Sequence, residues 1–348
     1  MKNKKVIFFV SILFLLFLGV KVSSEEVPYG VSLNFPENQV NKKLNYFNLK
    51  MSPAQKQSVE MEVINTSNKD IEIDVRILSG MTNINGVIDY LEESKDFKYD
   101  ETLKYPFTDI AKLKNNNYQI EANSSIRIPI NIEMPTEKIS GTILGGVEIV
   151  EKKPEETDIT NKGMAVVNKF RYLVAFKLSM SDEVVEPKLK LNEVKASQIA
   201  FRNVIKANIQ NTEMTIINDV QVDAKVTKKG SDKVLYSYKM KDMQIAPNSN
   251  FDLPIRLENQ PFRAGTYILY LNVASRGGYK WAFKKEFIIT SDEADKFNEM
   301  SAIELDKENS LLLYIIVSAL ILVAIVFFIL IKRKRKNKKR KRRKKKRK

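Results

Sequence analysis

Two stretches decide the fold, NSSIRIPINIE at residues 123–133 and NSNFDLPIRLE at residues 248–258, because the second repeats the first 125 positions later. Asn, Ser, Pro, Ile and Glu recur in register, and apolar residues occupy the same alternate positions. Side chains of a β-strand alternate between the two faces of a sheet, so each stretch predicts a strand with one buried face. Internal repetition of this kind predicts two related domains in tandem.

The sequence around both copies supports an all-β fold. Gly-Thr pairs at 141–142 and 265–266 precede the next strand of each copy, and Asn-Thr pairs at 65–66 and 211–212 end an earlier one. Alternation also marks SVEMEVI (58–64), IEIDVRI (71–77), VQVDAKV (220–226) and YILYLNV (267–273). Sheets with one buried and one solvent-exposed face are typical of β-sandwiches. We therefore predict two tandem Ig-like β-sandwich domains.

The repeat also places the boundary between the two domains. The second copy ends with a strand at 281–289, which follows a turn at Gly277 and Gly278. By analogy, the first copy should end with a strand at 170–178, beyond the charged loop at 151–162. We therefore predict domains at residues 25–182 and 183–290. An insertion at about 80–117, rich in Asn, Asp, Lys and Tyr, is specific to the first copy.

Both ends of the chain predict export and membrane anchoring. Residues 1–24 begin with Lys2, Lys4 and Lys5 and continue with a 15-residue apolar stretch, which is typical of a signal peptide; an uncleaved signal anchor is the alternative. Residues 311–331 form 21 uncharged positions, enough for one transmembrane helix. Of residues 332–348, 16 of 17 are Lys or Arg, and basic flanks stay in the cytoplasm. We expect a single-pass cell-membrane protein whose N-terminal part is extracellular and whose tail is cytoplasmic.

A short stalk is predicted between the second sandwich and the span. Residues 291–310 contain seven acidic residues and two lysines. Thr290 and Glu293 have the spacing of a helix capping box, which predicts a short stalk helix.

Charge and composition exclude several function classes. The net charge of +16 equals the 16 basic residues of the tail, and the exported part carries 38 basic against 42 acidic residues. Nucleic acid is therefore not an expected partner; the tail is typical of a stop-transfer anchor, with a cytoplasmic partner as the alternative. The chain has no Cys and no His, which excludes disulfides, the usual zinc sites and His-based triads. We predict no enzyme activity, no metal and no cofactor.

Seven stretches resemble the WxL-interacting proteins of Gram-positive bacteria, and they occur in order along residues 25–348. They are PENQ (36–39), YFNLKMSPAQKQ (46–57), GVIDY (86–90), KYPFTDI (104–110), ILGG (143–146), APNSNF (246–251) and ENQPFRAGTY (258–267). The resemblance implies a peptidoglycan-binding domain, a host-binding domain, one membrane span and a basic tail. It implies a surface scaffold that binds peptidoglycan and WxL-domain proteins, with a host extracellular ligand as a further partner. In the family, the boundary between the two domains is placed near residues 151–160, whereas the repeat predicts a boundary near residue 182.

The insertion supplies the candidate peptidoglycan-binding residues Tyr105, Phe107 and Asp109, with Asp89 and Tyr90 as further candidates. Aromatic faces stack on sugar rings, and a carboxylate accepts hydrogen bonds from hydroxyls. The alternative is that the aromatic rings pack the insertion onto the sandwich.

Trp281, the only tryptophan, is a candidate partner-binding residue. Strand alternation places it on one face with Phe283, so a core position is the alternative. Gly145 and Gly146 within a strand predict a close approach of another group, which either packing or a ligand would explain.

The sequence bears on three alternatives to the scaffold. A pilus-like or chaperone-like module would bind a partner by adding its strand to an open sheet edge. A wall-active hydrolase would need two carboxylates about 5–9.5 Å apart, and no region of the sequence clusters acids and aromatics convincingly. A sortase-anchored protein would need an LPxTG-like motif before the apolar run, which residues 291–310 lack.

Overall fold

The computed structural model describes residues 27–90, 98–152 and 170–302, together with residue 327. The first half contains β1 (Tyr29–Asn34), β2 (Phe47–Lys50), β3 (Lys56–Asn65), β4 (Ile71–Thr82), β5 (Ile88–Tyr90), α1 (Phe107–Ile110), β6 (Ala111–Leu113), β7 (Asn117–Ile120), β8 (Ser125–Glu133), β9 (Ile143–Glu151) and β10 (Arg171–Ser179). The second half contains β11 (Leu189–Ile199), β12 (Arg202–Asn211), β13 (Ile217–Lys228), β14 (Val234–Ile245), β15 (Ser249–Arg256), β16 (Gly265–Ala274), β17 (Lys280–Ile289) and α2 (Ser291–Glu299).

Each half is a sandwich of two sheets around its own core, as the alternating patterns predict. The first sandwich packs the sheet β1-β3-β8-β6 on the sheet β2-β10-β9-β4-β5, to which β7 adds through β4. The second packs β11-β12-β15 on β14-β13-β16-β17. Alternate residues of β3 and β13 are buried in the two cores, because one face of each strand points inward.

The predicted repeat is confirmed in atomic detail. The two repeated stretches form β8 and β15, and each is preceded by an Asn in the left-handed region, Asn123 at φ 53° and Asn248 at φ 45°. Asn65 and Asn211 end the partner strands, and both are buried. Each side-chain amide donates to the backbone carbonyl four residues later. The Asn65 amide also donates to the carbonyl of Glu121, and the Asn211 amide donates to that of Ala246. Glu121 and Ala246 are 125 positions apart, as the two repeated stretches are.

The strand predicted to close the first copy lies in the first sandwich. β10 pairs antiparallel with β9 and parallel with β2, and its residues Val174, Phe176 and Leu178 belong to the first core. β17 pairs with β16 in the second sandwich, as predicted. Most of the charged loop lies outside the described residues, and the boundary near residue 182 stays a prediction.

The insertion changes one edge of the first sandwich. Its strand β6 pairs with β8 from Ile130 to Ile132 and ends beside Pro129, which has no N–H to donate. In the second sandwich, Pro254 occupies the equivalent position. Among the described residues, no strand pairs with that edge of β15.

The predicted capping box is present at the start of α2. The Thr290 hydroxyl accepts from the Glu293 backbone N–H at 3.2 Å, and the Glu293 carboxylate accepts from the Thr290 N–H at 2.9 Å. The helix does not stand apart as a stalk. Ala294 is buried, and the Phe297 ring lies 5.8 Å from that of Phe262, so the helix packs against the second sandwich.

The predicted membrane segments fall outside the described residues. The signal peptide (1–24) and the basic tail (332–348) are not described, and of the span at 311–331 only residue 327 is. Within the described part of the chain, no helix is long and apolar enough to cross a bilayer.

The two sandwiches contact each other through loops at their facing ends. The Thr82 and Ser249 hydroxyls are 2.8 Å apart, and the Ala246 N–H donates to Thr82 at 2.9 Å. On the opposite side, the Thr142 N–H donates to the Met214 carbonyl at 2.7 Å, and Met214 packs against the first core. Buried polar groups with partners on both sides hold the sandwiches in one arrangement.

Candidate functional site

A cleft lies where the two sandwiches meet, and we call it the interdomain cleft. Its volume is about 410 Å³. The first sandwich contributes the β4–β5 hairpin and the loop at 98–103, and the second contributes residues of β12 and the start of β15. Pockets of about 300–1,000 Å³ hold small ligands, so the cleft is large enough for one.

Asp100 joins the two sides of the interdomain cleft. Its carboxylate accepts from the Gln210 amide at 2.9 and 3.0 Å and from the Asn250 amide at 2.6 Å, both in the second sandwich. Thr102 also donates to it, from its backbone and its hydroxyl. Burial opposes ionisation of this carboxyl, but these hydrogen bonds outweigh it and lower the pKa of Asp100. The ionised form therefore holds the interface together.

Amides and carboxylates continue along the second-sandwich wall. The Asn208 amide donates to Asn250 at 3.1 Å and to Asp252 at 2.9 Å. Lys206 lies 3.4 Å from Asp252. Amides donate to and accept from hydroxyl groups, and carboxylates accept from them, which suits a saccharide. Among the described residues, no group of three acidic residues could hold a metal ion.

Asp89 is the predicted site residue that reaches the interdomain cleft. It lies at the end of the β4–β5 hairpin, half-buried, and accepts from the Asn83 amide at 3.2 Å. Tyr90, beside it, is buried, and burial is the main cause that raises the pKa of Tyr90 to about 12. The neighbouring Asp89 carboxylate adds to this rise.

The buried rings of Phe107 and Tyr90 explain the glycine pair of β9. A Cβ on Gly145 would lie 2.0 Å from the Phe107 ring, and one on Gly146 would lie 2.9 Å from the Tyr90 ring. Consecutive strand residues face opposite sides of a sheet, so the two rings press on the two faces of β9. Phe107 is fully buried, with its ring 5.2 Å from that of Phe176. These contacts favour packing over ligand binding for both residues.

Tyr105 and Asp109 lie nearby but outside the interdomain cleft. The Tyr105 hydroxyl donates to Glu137 at 2.9 Å, and Lys104 lies 5.1 Å from the centre of its ring. Hydrogen bonds from Lys104 and Tyr105 lower the pKa of Glu137. Asp109 is exposed and lines a separate hollow with Lys56 and Lys112 on the other sheet. The structure therefore does not bring the five predicted residues together.

Family models match both halves of the chain. The model described as "WxL Interacting Protein, peptidoglycan binding domain" matches residues 29–151, and "WxL Interacting Protein, host binding domain" matches residues 161–299. The chain belongs to the WxL-interacting protein family. The sequence resemblance is thereby confirmed, and both models describe binding domains of the cell surface.

The solved structures that this WxL-interacting protein resembles are distant from it. The YadV chaperone is 10% identical, with a TM-score of 0.30, over 75% of this chain and 100% of its own. The Pseudomonas aeruginosa CupB2 chaperone is 15% identical, with a TM-score of 0.28, over 67% of this chain and 94% of its own. The E. coli chaperone DraB is 13% identical, with a TM-score of 0.29, over 75% of this chain and 97% of its own. TM-scores this low carry no argument about function, and no curated protein matches the chain.

Trp281 lies in the host-binding domain of this WxL-interacting protein, on the inward face of β17. It is half-buried, packs against the second core and stacks on Tyr279 with ring centroids 6.2 Å apart. It pairs with Val273 across the sheet. This placement agrees with a core position more closely than with an exposed anchor.

The sequence analysis missed the residues on the second-sandwich side of the interdomain cleft. Asn208, Asn250 and Asp252 are outward-facing positions of β12 and β15, and outward polar residues are expected on any strand. Asp100 lies in the insertion of the first copy, but nothing in its sequence indicates a partner in the other domain. Asn248 and Ser249 also line the cleft and belong to the repeated stretch, so the repeat was the sequence signal that could have indicated this wall.

Proposed function

We propose that this chain is a membrane-anchored cell-surface scaffold that binds peptidoglycan and WxL-domain proteins, with a host ligand as a further partner. Its membership of the WxL-interacting protein family supports the binding roles. The apolar run at 311–331 and the basic tail at 332–348 support the anchoring.

We assign the glycan-facing site to the interdomain cleft rather than to the insertion alone. The observation that carries this assignment is the wall of polar side chains from both domains, with Asp89 and Asp100 on one side and Asn208 and Asp252 on the other. Sugar hydroxyls both donate and accept hydrogen bonds, so a wall of mixed amides and carboxylates is complementary to them.

Sedimentation with purified peptidoglycan tests this assignment. Replacing Asn208 and Asp252 together (N208A/D252N) should lower the fraction of protein that sediments, with little change in melting temperature. The matched control is Asp109→Asn, which removes an exposed carboxylate outside the cleft. Equal binding by N208A/D252N and the unaltered chain would contradict the assignment, as would a loss confined to D109N.

The anchoring part is tested by fractionation of cells that produce the chain. The full chain should remain with membranes after extraction with high salt and should be released by detergent. A chain ending at residue 310 should be released from membranes. If the shortened chain stays in the membrane fraction, the span at 311–331 is not the anchor.

The WxL-protein part is tested by affinity capture from solubilised envelopes with the tagged full chain. A protein that carries a WxL domain should be the main species recovered. Captured material without any such protein would contradict this part of the proposal and would leave the peptidoglycan assignment unaffected.

Strand addition is a second candidate, favoured by the edge of β15. On one edge, β8 has β6 as a neighbour at residues 130–132, whereas no described strand lies beside the same edge at the equivalent residues 255–257. Pro254 cannot donate to an added strand, and by strand alternation the next backbone N–H on that edge belongs to Arg256, which is exposed. Substituting Arg256 by Pro should abolish partner capture if strand addition is used; unchanged capture would exclude this edge.

A further inference from the structure

The outer face of the second sandwich contains a hollow of about 740 Å³, which we call the lysine trough. It is lined on β14, β13, β16 and β17 by Lys239, Lys241, Gln221, Asn272, Ala274 and Lys280, among others. No residue of the facing sheet lines it. The inward-facing neighbours Val222 and Val273 are only 4% and 2% exposed, so the hollow opens outward, away from the core.

Small side chains make the trough concave. Asn272 and Ala282 lie in one row across the sheet with Asp223, and Ala274 lies in the next row beside Gln221. Four strands at about 4.8 Å spacing give a width of roughly 14 Å. Longer lysine side chains rise on the two outer strands, so the short residues between them form a floor.

The trough is positively charged although the exported part of the chain is not. Five lysines occupy the trough and the adjoining row: Lys225, Lys239, Lys241, Lys280 and Lys284. The Asp223 carboxylate lies among them and pairs with Lys239 at 3.0 Å. Lys284 also lies 5.5 Å from the centre of the Tyr270 ring. Local positive charge on a chain whose exported part is net −4 concentrates anions at this one face.

We propose that the lysine trough binds a linear sulfated polysaccharide. Lysine ammonium groups are compact point charges that suit sulfate, and Gln221 and Asn272 supply amides for sugar hydroxyls between them. The short side chains of Asn272, Ala274 and Ala282 on the floor leave room for a chain of sugar rings between the lysines. A planar lipid surface could not enter a concave floor. The proposal names a ligand class for the host-binding part of the proposed function and rests on that part.

Heparin is the probe for this proposal, and the detergent-solubilised full chain is the protein. The chain should bind immobilised heparin and bind desulfated heparin far more weakly, with an affinity that falls as salt is raised. The variant K239Q/K241Q/K280Q should lose roughly tenfold to hundredfold in affinity, since three exposed ion pairs are removed. The control K56Q/K112Q/K138Q removes the same charge from exposed positions of the first sandwich and should bind as the unaltered chain does.

A second variant controls for misfolding as the cause of lost heparin binding. Ala282→Glu adds a negative charge to the floor and removes no ion pair, so it should abolish heparin binding with an unchanged melting temperature. The proposal would be overturned if the control triple variant lost as much heparin affinity as K239Q/K241Q/K280Q. It would also be overturned if desulfated heparin bound as tightly as heparin, or if polyglutamate or anionic vesicles bound more tightly than heparin. Peptidoglycan sedimentation by A282E should be normal. If heparin binds but peptidoglycan does not, the cleft assignment fails and the trough stands.

Discussion

Replacing Phe107 with Ala separates packing from ligand binding in the insertion. Phe107 is fully buried, its ring lies 5.2 Å from Phe176, and it fills the space that Gly145 leaves on β9. Removing the ring would leave a cavity at the point where α1 joins the two sheets. Substitutions of this kind cost about 3–5 kcal/mol in the free energy of unfolding.

The expected loss can be measured as a melting temperature. In a domain of this size, 1 kcal/mol corresponds to about 2–4 °C, so Phe107→Ala should lower the first-sandwich transition by roughly 10 °C. The matched control is Tyr105→Ala, two residues earlier, where the ring is half-exposed and donates one hydrogen bond to Glu137. A net hydrogen bond contributes about 0.5–1.5 kcal/mol, so its transition should fall by only a few degrees.

Peptidoglycan binding, measured below both transitions, completes the comparison. Folded Phe107→Ala should bind peptidoglycan as the unaltered chain does, because the ring contacts no solvent. A melting temperature within 2–3 °C of the unaltered chain, together with lost peptidoglycan binding, would refute the packing role and restore the sequence-based site.

Four further outcomes are expected. Asp100→Ala should leave the buried Gln210 amide without its acceptor, cost about 1–3 kcal/mol and increase proteolysis between the sandwiches. The pKa of Asp100 is lowered in the folded chain, so its contribution to the free energy of unfolding is fully present above the ordinary pKa of 3.8. This contribution is lost as the pH falls through the lower folded value. Urea midpoints should therefore fall below about pH 3.8, and Asp100→Asn should remove this pH dependence. Gly141→Ala would place a Cβ 2.2 Å from the Met214 carbonyl at φ +105°, so small-angle scattering should detect a changed arrangement of the sandwiches, whereas Gly30→Ala, with no atom within 4 Å, should not change it. Thr290→Ala should remove the α2 cap at a cost of about 1 kcal/mol, measured by urea unfolding of the second sandwich.

The fold could be read from the sequence because strands leave a local signal. Alternation at 71–77 and 220–226 predicted β4 and β13, and the repeated Asn-Ser stretch predicted β8 and β15. The equivalent roles of Asn65 and Asn211 show that the repeat lies in hydrogen bonding as well as in pattern. The capping box at Thr290 was also readable, since it depends on residues three positions apart.

The candidate site could not be read in the same way. Asp100 and Asn250 are 150 positions apart, and their contact depends on how two separate sandwiches meet. Burial of a loop residue has no periodic signal, so Phe107 in the core and Tyr105 at the surface look alike in sequence. The path of α2 against Phe262 is likewise a tertiary contact, which a capping box does not predict.

The interdomain cleft is tested most directly by hydrogen exchange of the full chain with soluble muropeptide fragments of peptidoglycan. The account predicts slower exchange in both sandwiches at once, at residues 81–89 and 98–103 and at residues 248–252. It also predicts that N208A/D252N removes this protection. Protection confined to the first sandwich away from the cleft, or identical protection in N208A/D252N, would contradict the account.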